Sequence, residues 1–147
     1  MNGKREEKAV NYYLNGLNCA QSVLLVFNDF FDFNENTSQK LTSAFGGGMG
    51  EGKTCGVIIG GLIVLGLKYG YSIPIDEIEK TNLFEKVEAF KSAFLEIHKS
   101  LVCKELIGHD LSIPKDKEKA LAENTFNTVC PDFVNNAVTI LEKLIHA

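Results

Sequence analysis

The sequence has few prolines, no surplus of positive charge and no apolar run long enough to span a membrane, and each of these absences excludes a class of protein. Fifteen basic and nineteen acidic side chains give a net charge of −4, which argues against a nucleic-acid-binding surface. The longest apolar run, residues 57–67, is well short of the about 20 residues that a span needs, so it predicts a buried core helix. We expect neither nucleic acid nor membrane as a partner.

Targeting signals and domain boundaries are also missing. The first sixteen residues are charged and have no apolar segment typical of secretory signals, so we expect a cytoplasmic protein. The 147 residues, with 45% hydrophobic and 23% charged side chains, are typical of one globular domain over residues 1–147. Four cysteines are too few for a disulfide-stapled scaffold, and in a reducing compartment they indicate redox, metal-binding or core residues.

Helical periodicity runs through almost the whole chain, and the alternation typical of β-strands is missing. We predict an all-α fold, an irregular bundle of about six helices with a glycine-rich loop before a buried hydrophobic helix. Asn18 is the predicted N-cap of the second helix, Thr54 caps the hydrophobic helix, and residues 72–74 start a long helix. Further helices are predicted over residues 4–15, from Thr37 or Ser38, over 101–107 and 115–124, and from Pro131 onward.

The four cysteines, Cys19, Cys55, Cys103 and Cys130, are far apart in the sequence and form no Cys-x-x-Cys pair. This excludes a thioredoxin motif, a zinc ribbon and covalent c-type haem attachment. Each cysteine instead falls at the predicted start of a helix, where unpaired backbone N–H groups and the helix dipole favour a thiolate over a thiol. Thiolates are the nucleophiles of disulfide exchange and the ligands of soft metals, so this shared position favours a functional role over inert packing.

One glycine cluster has the spacing of a phosphate-binding loop. Residues 47–54, Gly-Gly-Met-Gly-Glu-Gly-Lys-Thr, match Gly-x4-Gly-Lys-Thr, in which Lys53 would reach the β and γ phosphates and Thr54 would bind Mg²⁺. That motif requires a hydrophobic strand immediately before it, but residues 42–45 follow a predicted helix. We therefore favour a tight connector that lets backbones approach closely around Cys55.

Taken together, these segments resemble the C_GCAxxG_C_C family of redox-active proteins. The resemblance is carried by Asn-Cys-Ala-Gln-Ser at 18–22, Phe-Gly-Gly-Gly-Met-Gly at 45–50, Cys-Gly-Val-Ile-Ile-Gly at 55–60, Cys-Lys-Glu-Leu-Ile-Gly at 103–108, and Cys130. It covers nearly the whole chain, with Val57 where the family motif has alanine. The resemblance implies a redox role for all four cysteines. A related domain lies beside haem-binding segments in split-Soret-type cytochromes, which implies an iron–sulfur centre as an alternative, although this chain has no haem-attachment motif.

Two functional interpretations stand first. In one, the chain is a thiol–disulfide redox protein, with Cys55 as the attacking thiolate and Cys19 as the resolving partner. In the other, an electron-transfer module binds an iron–sulfur cluster or another soft metal through Cys19, Cys55, Cys103 and Cys130. A nucleotide-binding protein and an interaction protein with inert cysteines are the remaining alternatives. The sequence does not identify the redox partner, and the glycine-lined apolar helices favour a homodimer.

Overall fold

The computed structural model describes residues 4–32 and 34–146, and within these ranges the chain forms nine α-helices and no β-strand. The all-α prediction is confirmed, and the predicted number of about six helices is too low. None of the helices in the two ranges is long and apolar enough to cross a membrane. The helices are α1 (Arg5–Leu14), α2 (Cys19–Val26), α3 (Glu35–Thr42), α4 (Gly56–Tyr69), α5 (Glu77–His98), α6 (Cys103–Ile107), α7 (Pro114–Ala122), α8 (Thr125–Thr128) and α9 (Cys130–His146).

Helix α4 lies at the centre of the bundle, where α2, α5 and α9 pack around it. It has no charged side chain before Lys68, so it can be buried on several sides, as its apolar run predicts. Removing this apolar surface from water is the main stabilising contribution to such a fold. Its fully buried side chains are Val57, Ile58, Val64 and Leu65.

Glycines on α4 allow its neighbours to come close. A Cβ at Gly60 would lie 2.9 Å from the carbonyl oxygen of Ala20 in α2, and a Cβ at Gly61 would lie 2.4 Å from the Phe90 ring in α5. Both distances are too short for real contacts, so a side chain at either position would push the helices apart. Gly60 and Gly61 are therefore covered within the chain, and the expected homodimer stays a prediction.

Helices α1 and α9 pack antiparallel, so that each end of α1 lies beside the opposite end of α9. At one end, the Arg5 guanidinium pairs with Glu142 of α9 and with Asp29, the latter at 2.6 Å. The hydrogen bond from Arg5 is the largest cause that lowers the pKa of Asp29. At the other end, Tyr13 near the end of α1 contacts Cys130 at the start of α9.

Two helices begin at side-chain caps other than those predicted. The side chain of Asn34 accepts a hydrogen bond from the backbone N–H of Thr37 at 2.7 Å, so α3 begins before the predicted start at Thr37 or Ser38. The long helix α5 begins after Asp76, whose carboxylate caps the first turn, rather than at the segment around Pro74. In both cases the helix starts after a residue whose side chain accepts a hydrogen bond from a backbone N–H group of the first turn.

The glycine-rich segment before α4 does not have the surroundings of a phosphate-binding loop. Gly48–Gly52 forms a tight turn in which four of the five residues have positive φ angles, and it follows helix α3 rather than a strand. Within the described ranges the only β-type pairing is a single antiparallel bridge between Thr54 and Val102. The Lys53 ammonium lies 3.2 Å from the Glu51 carboxylate. The nucleotide-binding interpretation therefore lacks the parallel sheet on which it depends.

Replacing Gly61 by alanine should destabilise the protein. The new Cβ would lie 2.4 Å from the Phe90 ring, which is fully buried and has little room to move. Overpacking of this kind lowers the free energy of unfolding by about 1–3 kcal/mol. Urea unfolding followed by circular dichroism measures the change.

Gly66→Ala is the matched control on the same helix, because nothing lies within 4 Å of the position that its Cβ would take. Alanine is the better helix former, so this variant should raise the free energy of unfolding by about 0.5–1 kcal/mol. Equal effects of the two substitutions would show that the close approach at Gly61 does not limit stability.

Candidate functional site

The four cysteines line a single cavity of about 410 Å³ that opens to the surface. Cys55 and Cys103 are buried, whereas Cys19 and Cys130 are partly exposed. Cys19, Cys103 and Cys130 are the first residues of α2, α6 and α9, and Cys55 is the N-cap of α4. The structure thus brings together all four residues that the sequence singles out, and it places each of them at the start of a helix.

A capping box around Asn18 fixes the start of α2. The Asn18 side chain accepts a hydrogen bond from the backbone N–H of Gln21 at 2.8 Å, and the Gln21 side chain accepts one from the backbone N–H of Asn18 at 2.8 Å. The Asn18 amide also donates to the carbonyl of Ser43 at 3.1 Å, which ties α2 to the chain before the glycine cluster. These bonds hold Cys19 in the first turn, beside backbone N–H groups that have no partner within the helix.

A short antiparallel pairing joins the starts of α4 and α6. The backbone N–H of Cys55 donates to the carbonyl of Leu101 at 2.8 Å, and that of Cys103 donates to the carbonyl of Lys53 at 2.6 Å. In such a pairing, Cys55 and Cys103 are diagonal neighbours on one face. The two cysteines therefore face the same cavity although the whole of α5 separates them in the sequence.

Cys19 and Cys55 are neighbours at the starts of α2 and α4, and hydrogen bonding between their side chains is the largest cause of the pKa shift of each. The contact requires Gly56, since a Cβ there would lie 2.2 Å from Sγ of Cys19. The pKa of Cys19 is lowered to about 7, first by the bond from Cys55 and then by the backbone N–H groups of Gly47 and Ala20, against the opposing effect of burial. The pKa of Cys55 is raised, because this bond retains its proton and because the thiol is buried.

Burial dominates at the other two thiols. It raises the pKa of Cys103 to about 12 and is the largest cause there. It also raises the pKa of Cys130 to about 11, even though the Tyr13 hydroxyl donates a hydrogen bond to this sulfur. The start of a helix therefore favours a thiolate only at Cys19. The expectation that helix position favours the thiolate is wrong for the other three: the pKa of Cys55 is raised first by its interaction with Cys19 and then by burial, and those of Cys103 and Cys130 are raised first by burial.

The walls of the cavity are neutral. None of the residues that line it in the described part of the chain has a charged side chain. Positive potential near Cys19 therefore comes from backbone N–H groups and not from lysine or arginine. The apolar wall residues are Leu17, Val57, Ile107, Phe126 and Phe133, and the neutral polar ones are Tyr13, Asn18, Gln21 and Asn127.

Tyr13 is a site residue that sequence reasoning does not identify. Its hydroxyl donates to the sulfur of Cys130, and its pKa is raised by burial first and then by the neighbouring thiols, Cys130 before Cys19 and Cys55. In the sequence, Tyr13 is marked only by its position on the apolar face of α1. Ordinary core residues have the same position, so the pattern does not identify Tyr13 as a site residue. A tyrosine beside three thiols can be found only from the packing of α1 on α9.

The described residues do not form a ready metal site. Within residues 4–32 and 34–146, no group of three or more His, Cys, Asp or Glu side chains is arranged to hold a metal ion. The two histidines near α6 are engaged elsewhere: Nε2 of His98 lies 2.9 Å from the Asn136 amide, and Nδ1 of His109 lies 2.8 Å from the Asp116 carboxylate. As placed here, the four thiols do not fit a soft metal or cluster without movement.

An all-α fold and four thiols around one neutral cavity define a small cysteine-based helical protein. The family described as "Putative redox-active protein (C_GCAxxG_C_C)" matches residues 17–144 of the chain. The chain belongs to this family, and the resemblance seen in its cysteine motifs is confirmed. No curated protein and no solved structure matches it.

Because the pKa of Cys19 is about 7, iodoacetamide should label Cys19 before the other three thiols, at a rate that rises as the pH passes through 7. The remaining thiols should react in the folded protein only at strongly alkaline pH, since their pKa values are raised. Mass spectrometry of partly labelled protein over a series of pH values identifies the labelled residue and its apparent pKa.

The same measurement tests the cause of the shift. Cys55→Ala removes the hydrogen bond that contributes most to the low pKa of Cys19, so the labelling midpoint of Cys19 should move to higher pH. Cys130→Ala is the matched control, because Cys130 is not among the main causes of this shift, and its midpoint should stay unchanged. An unchanged midpoint in Cys55→Ala would contradict the thiol–thiolate pair.

Proposed function

We propose that the protein carries out thiol–disulfide exchange and that Cys19 and Cys55 are the exchanging pair. One observation carries this proposal: Cys19 lies against Gly56, next to Cys55, in an open cavity that both cysteines line, and their interaction lowers the pKa of Cys19 and raises that of Cys55. The description of the family supports a redox role in general. The choice of this pair is our inference from the contact.

In the proposed reaction, the Cys19 thiolate attacks one sulfur of a disulfide substrate. The substrate S–S bond breaks, a mixed disulfide with Cys19 forms, and the first substrate sulfur leaves as a thiolate. Cys55 then loses its proton and attacks the sulfur of Cys19, which releases the second substrate thiolate and closes a Cys19–Cys55 disulfide. The protein loses two electrons, and the substrate gains them as two thiols once its thiolates are protonated.

These roles are the reverse of those that we expected from the sequence. Cys19 is partly exposed and has the lower pKa, which suits a nucleophile that must meet a substrate. Cys55 is only 5% exposed and holds its proton, which suits a thiol that acts after the mixed disulfide has formed. We therefore propose Cys19 as the attacking residue and Cys55 as the resolving residue.

Cys103 and Cys130 have a different part in this proposal. Both line the cavity, and both have raised pKa values, so they remain thiols at neutral pH. We propose that they stay reduced during the exchange. The alternative of an iron–sulfur cluster or soft metal needs all four sulfurs as ligands; the thiols share a cavity, but they would have to move to bind such a group.

Mild oxidation by diamide should remove two free thiols from the protein, and dithiothreitol should restore them. Peptide mapping is expected to locate the new bond between Cys19 and Cys55, because Cys19 lies against Gly56, next to Cys55. Cys19→Ser and Cys55→Ser should each abolish the two-thiol loss, whereas the control Cys103→Ala should retain it.

Two results would overturn the proposal. One is a disulfide that maps to another pair in the unmodified chain. The other is a brown, iron-containing protein after purification without oxygen, in which all four thiols resist alkylation until iron is removed. That second result would favour the cluster interpretation.

A further inference from the structure

The cavity beside Cys19 has the size of a small-molecule site. Its volume of about 410 Å³ lies within the range of about 300–1,000 Å³ that is typical of such sites. One side of the lining is formed by Gly16 and Leu17 after α1, and another by Phe126 and Asn127 of α8. Asn127 is exposed and Phe126 is partly buried. A small molecule that reaches Cys19 therefore meets an apolar side chain and an aromatic ring beside it.

The neutral walls have a chemical consequence for what can enter. A charged substrate group would lose part of its hydration inside the cavity and would find no opposite charge among the described lining residues. An anion would also face the negative sulfur of Cys19. A neutral molecule with short hydrocarbon arms loses little hydration and gains contact with Leu17 and Phe126.

We propose that this cavity is the binding site for a small, uncharged organic disulfide, and that its neutral walls select against anionic disulfides. The inference rests on the proposed exchange between Cys19 and Cys55, and it adds the class of substrate. The balance of atoms is that of the exchange above: the disulfide takes up two electrons and leaves as two neutral thiols. In this proposal the apolar wall binds the disulfide, and the Cys19 thiolate attacks it.

Two model disulfides of nearly equal length test the selection by charge. Bis(2-hydroxyethyl) disulfide is neutral, and 3,3′-dithiodipropionate carries two carboxylates. Formation of the Cys19–Cys55 bond is followed with each compound at neutral pH and about 0.15 M salt, where long-range fields are screened. Each rate is divided by the rate at which dithiothreitol reduces the same disulfide. The neutral compound should be at least about tenfold faster after this correction.

A charge placed at the edge of the cavity should alter the selection. Asn127→Lys adds a cation to the lining and should raise the relative rate of the dianionic disulfide several-fold. Thr128→Lys is the matched control. A lysine at this position adds the same charge to α8, but residue 128 does not line the cavity. Each substitution removes one exposed hydrogen bond to Asn124, from the Asn127 amide or from the Thr128 hydroxyl, so their structural costs are similar.

Three results would overturn the inference and leave the exchange intact. They are equal corrected rates for the two disulfides, an equal effect of Thr128→Lys and Asn127→Lys, and faster reaction with the disulfides of insulin than with the neutral compound. A different result is expected if the proposed exchange itself does not occur. In that case no disulfide forms the Cys19–Cys55 bond, although iodoacetamide still labels Cys19.

Discussion

The close approach of α2 and α4 at their first residues is the constraint on which the site depends. Gly56 leaves the space that Sγ of Cys19 fills, and Gly60 lets the backbone of α4 lie against Ala20 one turn further along. Larger residues at these positions would separate the helices and, with them, Cys19 from Cys55. The Cys-Gly sequence at 55–56 is therefore a steric requirement of the thiol contact as well as a family motif.

The four thiols in one cavity differ in pKa because two effects oppose each other. The start of a helix favours the thiolate, whereas burial favours the neutral thiol. The field at a helix start is worth about 0.3–1 kcal/mol at an exposed position, and it decays within a turn. Burial of an anion costs more than this unless donors point directly at it. Only Cys19 receives both backbone N–H groups and a thiol donor, so only its pKa falls. Cys103 lies on a helix of five residues and is buried, and its pKa rises.

Much of the architecture follows from the sequence. The apolar run predicts the buried helix α4, and Asn18 with Gln21 predicts the cap of α2. The helix signals also place all four cysteines at helix starts. The meeting of Cys19 with Cys55 is not predictable in this way. It depends on the steric room at Gly56, and the meeting of Cys55 with Cys103 depends on a single backbone pairing at Thr54 and Val102; both involve residues distant in the sequence. The order of the thiol pKa values depends on how deeply each thiol is buried, and the local sequence pattern does not predict that burial.

The single proton shared by Cys19 and Cys55 has an electrochemical consequence. Above the pKa of Cys19, the reduced pair holds one proton, so the proposed two-electron oxidation releases one proton rather than two. The midpoint potential of such a couple falls by about 30 mV for each unit of rising pH, against about 60 mV below that pKa. Because Cys19 has already lost its proton there, the reducing strength of this chain would rise only half as steeply with pH above the pKa of Cys19 as below it.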